Sequence, residues 1–238
     1  GAHRWSRRFA AGGREVAHAV AIDANDNVIV VGSYTGAISL GGPALPAAAD
    51  GDLDMFVLEL SPQGNHIWST GIASNGRNEA FDVAVDAAGD VLVTGSIGWN
   101  PYANDAGDIT LHKLSGSTGA VIWAKPFTTT NGDGGFGVAT DASGNVYLTG
   151  EFGNGTGGTI DLGGTVLTSV GTGAGFVAKL DGGTGAHIWS KMMLNSNQSS
   201  LEGAVVSGNG VYVCGASRGA ANLGGGPNVA VGGEYDFF

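Results

Sequence analysis

Four copies of one sequence pattern constrain this chain more strongly than any other feature. Each copy is marked by a tryptophan, and Trp5, Trp68, Trp123 and Trp189 stand 63, 55 and 66 residues apart. A period of this length is typical of folds that repeat one supersecondary unit and pack each unit on its neighbours. The repeat is therefore the basis on which the fold class is predicted.

A segment with two apolar runs around a polar turn follows each tryptophan. The four copies are "VAIDANDNVIVVG" (Val20 to Gly32), "VAVDAAGDVLVTG" (Val83 to Gly95), "VATDASGNVYLTG" (Val138 to Gly150) and the shorter "AVVSGNGVYVCG" (Ala204 to Gly215). Two β-rich runs joined by Asp, Asn and Gly residues predict a β-hairpin. The repeat unit therefore begins with two antiparallel strands.

A third apolar run follows at some distance and leads through a short turn into the tryptophan segment. It reads "DMFVLEL" (Asp54 to Leu60), "DITLHKL" (Asp108 to Leu114) and "AGFVAKL" (Ala174 to Leu180). The unit is thus four strands in up-and-down order, which we name a to d, with the tryptophan on strand d. Four strands per repeat of this length predict an all-β chain, a β-propeller of four-stranded antiparallel blades. Helices are excluded because no apolar pattern keeps a 3.6-residue period, and a β-sandwich does not need the same four strands four times.

Two family resemblances add to this prediction. The succession "VAVDAAGDVLVTG", "IDLGG" and "FVAKLDGGTGAHIWSK" resembles the bacterial β-propeller repeat family called SBBP, over essentially the whole chain. That resemblance implies a propeller from a secreted or cell-surface protein. The segment "LDGGTGAHIW" is similar to the tryptophan-docking turn of quinoprotein-like propellers, which implies an indole packed between neighbouring blades.

The order of strands at the two ends leaves the closure of the ring open. We expect one propeller domain or propeller segment over residues 1–238, with blade repeats at 15–72, 78–127, 135–193 and 201–238. The fourth repeat stops inside strand c, because "YDFF" (Tyr235 to Phe238) aligns with "LDMF", and a spare strand d stands at residues 1–9. Residues 1–9 complete the fourth blade in a compact four-bladed ring on one interpretation. On the other, the chain is part of a larger propeller or completes its ring by self-association.

Charge and hydropathy exclude two classes of partner. The formal net charge is −11, and four of the ten basic residues are arginines within the first 14 positions. Binding to nucleic acid requires an exposed basic surface, so we expect no nucleic-acid partner. No apolar run approaches the roughly 20 residues of a membrane-spanning helix, so we expect no membrane insertion.

One face of the propeller is predicted to carry the binding residues. In an up-and-down blade the b to c and d to a connections share a face, and here they are long and varied, as binding loops usually are. In the second repeat, Trp99, Asn100 and Tyr102 offer aromatic rings beside polar groups, which suits stacking on a sugar or a peptide. The polar residues that depart from the repeat on this face are Arg77, Glu79, Glu151, Glu202 and Arg218.

The repeated histidines and aspartates are predicted to be structural. His3, His66 and His187 stand two residues before a tryptophan on different blades, so they are too far apart to share a metal. Asp23, Asp86 and Asp141 end strand a, where aspartates cap turns by accepting backbone hydrogen bonds. Calcium is the one cofactor left open, with Asp23 in "DANDN" and Asp161 in "IDLGG" as its candidate ligands.

These observations favour a non-catalytic binding or scaffold module outside the cell or on a bacterial surface. Its variable face would contact a protein or glycan partner. One alternative is an enzyme or cofactor-binding propeller of quinoprotein or lyase type, acting at the mouth of the ring. Another is a structural segment of a filament or large surface protein, which the acidic, glycine-rich composition allows.

Overall fold

The protein is built from antiparallel β-sheets. The computed structural model describes residues 1–10, 12–47, 51–99, 107–129, 131, 133–153, 155, 157–195, 197–208, 210–219, 221–222, 227–228 and 236–237. All the regular secondary-structure elements in that part of the chain are β-strands. None of it forms a helix that is long and apolar enough to cross a membrane. The prediction of an all-β chain is confirmed.

Two complete blades come first in the chain, and each is a four-stranded sheet whose strands lie in chain order. Blade 1 consists of β1 (Glu15–Ile22), β2 (Val28–Tyr34), β3 (Asp54–Leu60) and β4 (His66–Ile72). Blade 2 consists of β5 (Arg77–Val85), β6 (Val91–Trp99), β7 (Asp108–Leu114) and β8 (Val121–Phe127). All pairings are antiparallel, as expected for strands a to d of an up-and-down unit.

The third blade carries an extra hairpin between its strands b and c. Its strands are β9 (Gly134–Thr140), β10 (Val146–Phe152), β11 (Thr159–Ile160), β12 (Leu167–Thr168), β13 (Ala174–Leu180) and β14 (His187–Met192). β9, β10, β13 and β14 form the four-stranded sheet of blade 3, and β11 pairs with β12. The hairpin encloses the "LGG" element of this repeat, and in blade 1 the pair Ile38 and Leu45 bridges around the same element.

The fourth sheet has three strands among the described residues. The remaining strands are β15 (Leu194–Asn195), β16 (Gln198–Ser207), β17 (Gly210–Arg218), β18 (Ala221–Asn222), β19 (Pro227–Asn228) and β20 (Asp236–Phe237). β16, β17 and β20 form blade 4, in which β20 takes the place of strand c, and β15, β18 and β19 form a small separate sheet. The blades pack face to face in succession, because β5 contacts β1 to β3, β9 contacts β5 to β7, and β16 contacts β9, β10 and β13.

A β-bulge interrupts strand a of every blade and explains a glycine of the repeat. The bulged residues are His18, Phe81, Phe136 and Glu202. A glycine of strand b lies opposite each bulge, namely Gly32, Gly95, Gly150 and Gly215. A Cβ atom on any of these glycines would come within 1.9–2.1 Å of a strand a carbonyl oxygen. The glycine that ends each "VTG"-like motif is therefore required by the close approach of the bulged backbone.

The repeated tryptophan joins each blade to the next. The indole N–H of Trp68 donates to the Gly116 carbonyl in the c to d turn of blade 2, at 2.8 Å. Trp123 donates in the same way to Gly182 in blade 3, at 3.2 Å. The predicted role of the tryptophan in packing between blades is confirmed at these two positions.

Trp5 makes the same contact from outside blade 1. Its indole N–H donates to the Pro62 carbonyl in the c to d turn of blade 1, at 2.9 Å, and Arg7 donates to the side chain of Asn65. Residues 1–9 therefore lie where strand d of a preceding blade would lie. The strand predicted for these residues is not formed, since residues 1–9 have no secondary structure and no described strand pairs with them.

The outer faces of the first and fourth blades are open among the described residues. Val20 of blade 1 is 63% exposed, whereas Val83 and Val138 at the same repeat position are 6% and 4% exposed. Tyr212 of blade 4 is 61% exposed, whereas Tyr147 at the same position in blade 3 is 6% exposed. The surface of blade 1 that would contact a preceding blade is thus exposed, and so is the surface of blade 4 that would contact a following blade.

Candidate functional site

Arg77 and Trp99 form a partly exposed platform on the variable face of blade 2, where the Arg77 side chain is half-buried. They lie at the start of β5 and the end of β6, where the antiparallel register pairs them. The guanidinium carbon of Arg77 lies 4.4 Å from the centre of the Trp99 ring, and Arg77 also donates to Glu79 at 3.2 Å. Trp99 remains 37% exposed. The pair presents a guanidinium stacked on an indole, an arrangement stabilised by the attraction between a cation and an aromatic face.

Arg77 and Trp99 were both predicted from the sequence as binding residues, but the contact between them was not. The register of β5 and β6 shifts between Arg77 and Glu79 and again between Ala80 and Asp82. The residue pattern does not show where the register shifts, so the residue opposite Arg77 could not be predicted. Asn100 and Tyr102, the other residues predicted for this loop, lie outside the described residues.

A second polar group lies on the same face, between blades 3 and 4. The amide of Gln198 donates to Glu151 at 2.9 Å, and Gln198 pairs across the strands with the exposed Arg218. Burial raises the pKa of Glu151, and the nearby Glu202 carboxylate adds to this effect, while the bond from Gln198 opposes it. Glu151 and Arg218 are thus associated through Gln198, a residue that sequence reasoning missed.

The bulges of strand a create a row of rings along the innermost strands. The His18 and Phe81 rings lie 5.8 Å apart, and the Phe81 and Phe136 rings 5.7 Å apart. The bulged residue of blade 4 is the exposed Glu202. This row was not predicted, because strict alternation along strand a hides the extra residue. It lines the inner side of the first three blades with aromatic rings.

In blade 3, a half-buried carboxyl group takes the position of an amide that joins blades 1 and 2. Asn78 precedes the bulge of blade 2 by three residues, accepts from the Gly98 N–H, and donates to Asp54 at 3.1 Å. Asp133 holds the same position in blade 3 and accepts from the Gly153 N–H. Its second oxygen is buried and has no hydrogen-bond partner.

The surroundings of Asp133 change its ionisation. Burial, together with the negative charges of Glu151 and Asp108, raises the pKa of Asp133 to about 7, although the hydrogen bond from the Gly153 N–H opposes this rise. A protonated Asp133 can donate as the amide of Asn78 does. The position therefore has a structural role. Its only signal in the sequence is that Asp133 aligns with Asn78.

The two predicted calcium ligands do not share a site. The Asp23 carboxylate accepts from the backbone N–H groups of Asn25 and Asn27, at 2.8 and 2.7 Å, so it caps its turn as predicted. Asp161 is exposed and accepts from the Gly163 N–H at 2.8 Å. Among the described residues no three His, Cys, Asp or Glu side chains are grouped so as to hold a metal ion.

The repeated histidines pack against the repeated "LGG" glycines. His66 lies 3.1 Å from the Ser69 hydroxyl, and a Cβ atom on Gly42 would come within 2.2 Å of its ring. His187 and Ser190 repeat this contact over Gly164 in blade 3. In the second repeat both features are missing, since Val121 replaces the histidine and no "LGG" occurs. The structural role predicted for these histidines is confirmed at His66 and His187.

Comparisons with known proteins show a likeness in structure but not in sequence family. No family model matches the chain, and no curated protein matches it. Among solved structures, the crystal structure of BamB from Moraxella catarrhalis is similar, with a TM-score of 0.42 and 14% sequence identity. The alignment covers 89% of this chain and 62% of that one, so this chain spans less than two thirds of the structure that it resembles.

Proposed function

We propose that this protein is a non-catalytic binding or scaffold propeller that presents its variable face to a protein partner outside the cell or on a bacterial surface. The observation that carries the proposal is the platform of the half-buried Arg77 against the exposed Trp99. Arginine and tryptophan are the side chains most enriched where binding energy concentrates in protein interfaces. The extracellular location and the SBBP relationship are part of the proposal and rest on the sequence resemblance.

Charged residues on the same face as the platform fit recognition of a peptide surface. Glu79 holds the Arg77 guanidinium in place, while between blades 3 and 4 Arg218 is exposed beside the buried Glu151 and the half-buried Gln198. Charges of both signs on a binding face give specificity more than affinity. A glycan is the second ligand class, since an exposed indole also stacks on the apolar face of a sugar ring.

The test is a binding screen with matched variants. The purified chain would be exposed to a displayed peptide library and to a glycan array, and the best ligand of each would be titrated by calorimetry. Trp99→Ala and Arg77→Ala are expected to weaken binding about tenfold or more, which corresponds to the loss of a central interface residue. Ile122→Ala is the control, because Ile122 is exposed on strand d of blade 2.

The outcomes separate the ligand classes. A peptide ligand lost in the Trp99 and Arg77 variants supports the proposal, and a glycan ligand lost in the same variants supports the second class. Equal binding by all three variants places the ligand elsewhere on the molecule. Failure to bind any peptide or glycan would overturn the assignment of this platform.

The open blade faces support self-association as a second property. Tyr212 and Val205 of blade 4 are exposed at positions that a following blade would cover, and Val20 and Ile22 of blade 1 are exposed where a preceding blade would pack. We propose that the two faces join, with residues 1–9 providing strand d of blade 4. Sedimentation velocity over a range of concentrations is expected to show association that Tyr212→Asp removes and Ile122→Asp does not. A concentration-independent monomer would contradict joining between copies.

A further inference from the structure

Strand c carries a lysine that neutralises the turn aspartate in blades 2 and 3. In blade 2 the ammonium of Lys113 lies 2.7 Å from Asp86, 3.3 Å from Asp90 and 3.1 Å from the Gly182 carbonyl. In blade 3, Lys179 lies 3.1 Å from Asp141. The oxygen atoms of these carboxylates and of the carbonyl group surround a position that favours a positive charge.

Blade 1 has an acid at this position. Glu59 aligns with Lys113 and Lys179, pairs across the strands with Trp68, and is only 3% exposed. The amide of Asn27 donates to Glu59 at 2.8 Å and to Asp23 at 3.0 Å, so it lies between two carboxylates. The second oxygen of Glu59 is buried and has no hydrogen-bond partner. A buried carboxylate oxygen without a partner is costly unless a cation or a proton compensates it.

The repeat also identifies which atoms surround this place. Asp23 and Asn27 correspond to Asp86 and Asp90 in sequence, since they begin and end the same turn. The Gly116 carbonyl corresponds to Gly182, because Trp68 donates to the one as Trp123 donates to the other. By this correspondence, each group that binds the Lys113 ammonium in blade 2 has a counterpart in blade 1, where Glu59 replaces the lysine.

We infer that blade 1 binds a calcium ion where blades 2 and 3 hold a lysine ammonium. The donors are the carboxylates of Glu59 and Asp23, the side-chain oxygen of Asn27 after rotation of its amide, and the Gly116 carbonyl. Hard oxygen donors alone select Ca²⁺ or Mg²⁺ over transition metals. Two carboxylates balance one divalent ion, and a site that combines loop and carbonyl oxygens suits the flexible geometry of calcium better than the strict octahedron of magnesium.

A proton on Glu59 is the competing way to compensate the buried oxygen. Burial raises the pKa of Glu59, as does the nearby charge of Asp23, while the hydrogen bond from Asn27 lowers it. Protonation and metal binding make opposite predictions. At pH 7.5, calcium binding raises the free energy of unfolding by an amount that grows with the logarithm of the calcium concentration above Kd, whereas a protonated Glu59 leaves the stability independent of calcium.

The first experiment follows binding directly. Terbium(III) replaces calcium in oxygen sites and is excited by a nearby indole, and Trp68 is the cross-strand neighbour of Glu59. We expect tryptophan-sensitised terbium emission from the wild-type chain that Ca²⁺ displaces. Glu59→Gln is expected to weaken terbium binding about tenfold or more, because calcium affinity depends strongly on the number of charged ligands.

The second experiment follows stability and provides the control. Ca²⁺ at ten times its Kd is expected to raise the Tm of the wild-type chain by about 3 to 6 °C. Glu59→Lys restores the lysine of blades 2 and 3, so it is expected to fold, to lose the calcium response, and to have a Tm above that of the calcium-free wild type. Asp161→Asn changes the other predicted calcium ligand and is expected to keep the full response. The inference is overturned if the wild type shows no calcium-dependent shift, or if Glu59→Lys and Glu59→Gln retain it.

Discussion

At the scale of single residues, His112 shows how one repeat position changes character between blades. It is 8% exposed in strand c of blade 2, where blade 1 has Leu58 and blade 3 has Ala178, both buried. Burial lowers the pKa of His112 to about 4. The ring is therefore neutral at pH 7 and packs as a core side chain, held by a 3.2 Å hydrogen bond with Thr110.

This burial predicts a loss of stability in mild acid. Between pH 6.5 and about 4 the unfolded chain takes up a proton on His112 that the folded chain refuses, so the free energy of unfolding falls as the pH falls. The full effect amounts to about 3 kcal/mol. His112→Leu is expected to flatten this part of the curve, as measured by urea unfolding at half-unit steps of pH. Loss of the hydrogen bond to Thr110 lowers stability equally at every pH, so it does not change the slope of stability against pH. If the slope of the His112→Leu variant equals that of the wild type, His112 is not the group that causes the loss of stability in acid.

Asp133 predicts the opposite dependence on pH. Its pKa is about 7 in the folded chain and near 3.8 when unfolded, so the folded chain holds a proton that the unfolded chain releases between these values. Stability therefore falls as the pH rises from about 4 to about 7. Asp133→Asn copies the amide of Asn78 and is expected to remove this fall and to raise the Tm more at pH 8 than at pH 5. An equal change in Tm at both values would show that Asp133 is ionised throughout.

At the scale of strands, the bulge of strand a and the glycine of strand b depend on each other. A Cβ atom on Gly95 would lie 2.0 Å from the Glu79 carbonyl oxygen, so Gly95→Ala forces the two strands apart. We expect a loss of about 1 to 3 kcal/mol in the free energy of unfolding, measured in guanidinium chloride. Gly12→Ala is the control, since a Cβ atom there meets nothing within 4 Å. Equal stability of the two variants would mean that the bulge relaxes without cost.

The strands were predictable because their signals are local, and the site was predictable only in part. Alternating apolar residues and Asp–Gly turns fix each hairpin within about a dozen residues, and the repeat adds their order. The platform of Arg77 and Trp99 depends on register shifts that leave no mark in the sequence. Glu59 was overlooked for a different reason: its signal, an acid where two other repeats have lysine, was present in the alignment of the repeats.

At the scale of the whole molecule, the repeat provides its own test of whether the ring is closed. Val20 and Val83 occupy the same position in consecutive blades, but Val83 is buried against blade 1 and Val20 is exposed. A charge at a buried apolar position without a partner costs several kcal/mol, whereas the same charge in water costs little. Val83→Asp is therefore expected to lower the Tm by about 10 °C or to prevent folding.

Val20→Asp is expected to leave the Tm of the dilute chain within about 2 °C of wild type, since its site faces solvent. If blade 4 of the same chain covered Val20 in solution, the two variants would be destabilised alike at every concentration. If a second copy covered it, Val20→Asp would lower the Tm only at concentrations where the wild type associates, and would shift its sedimentation to that of the monomer. Thermal unfolding of both variants across a hundredfold range of concentration thus distinguishes an open row of blades, a ring closed within one chain and a ring closed between copies.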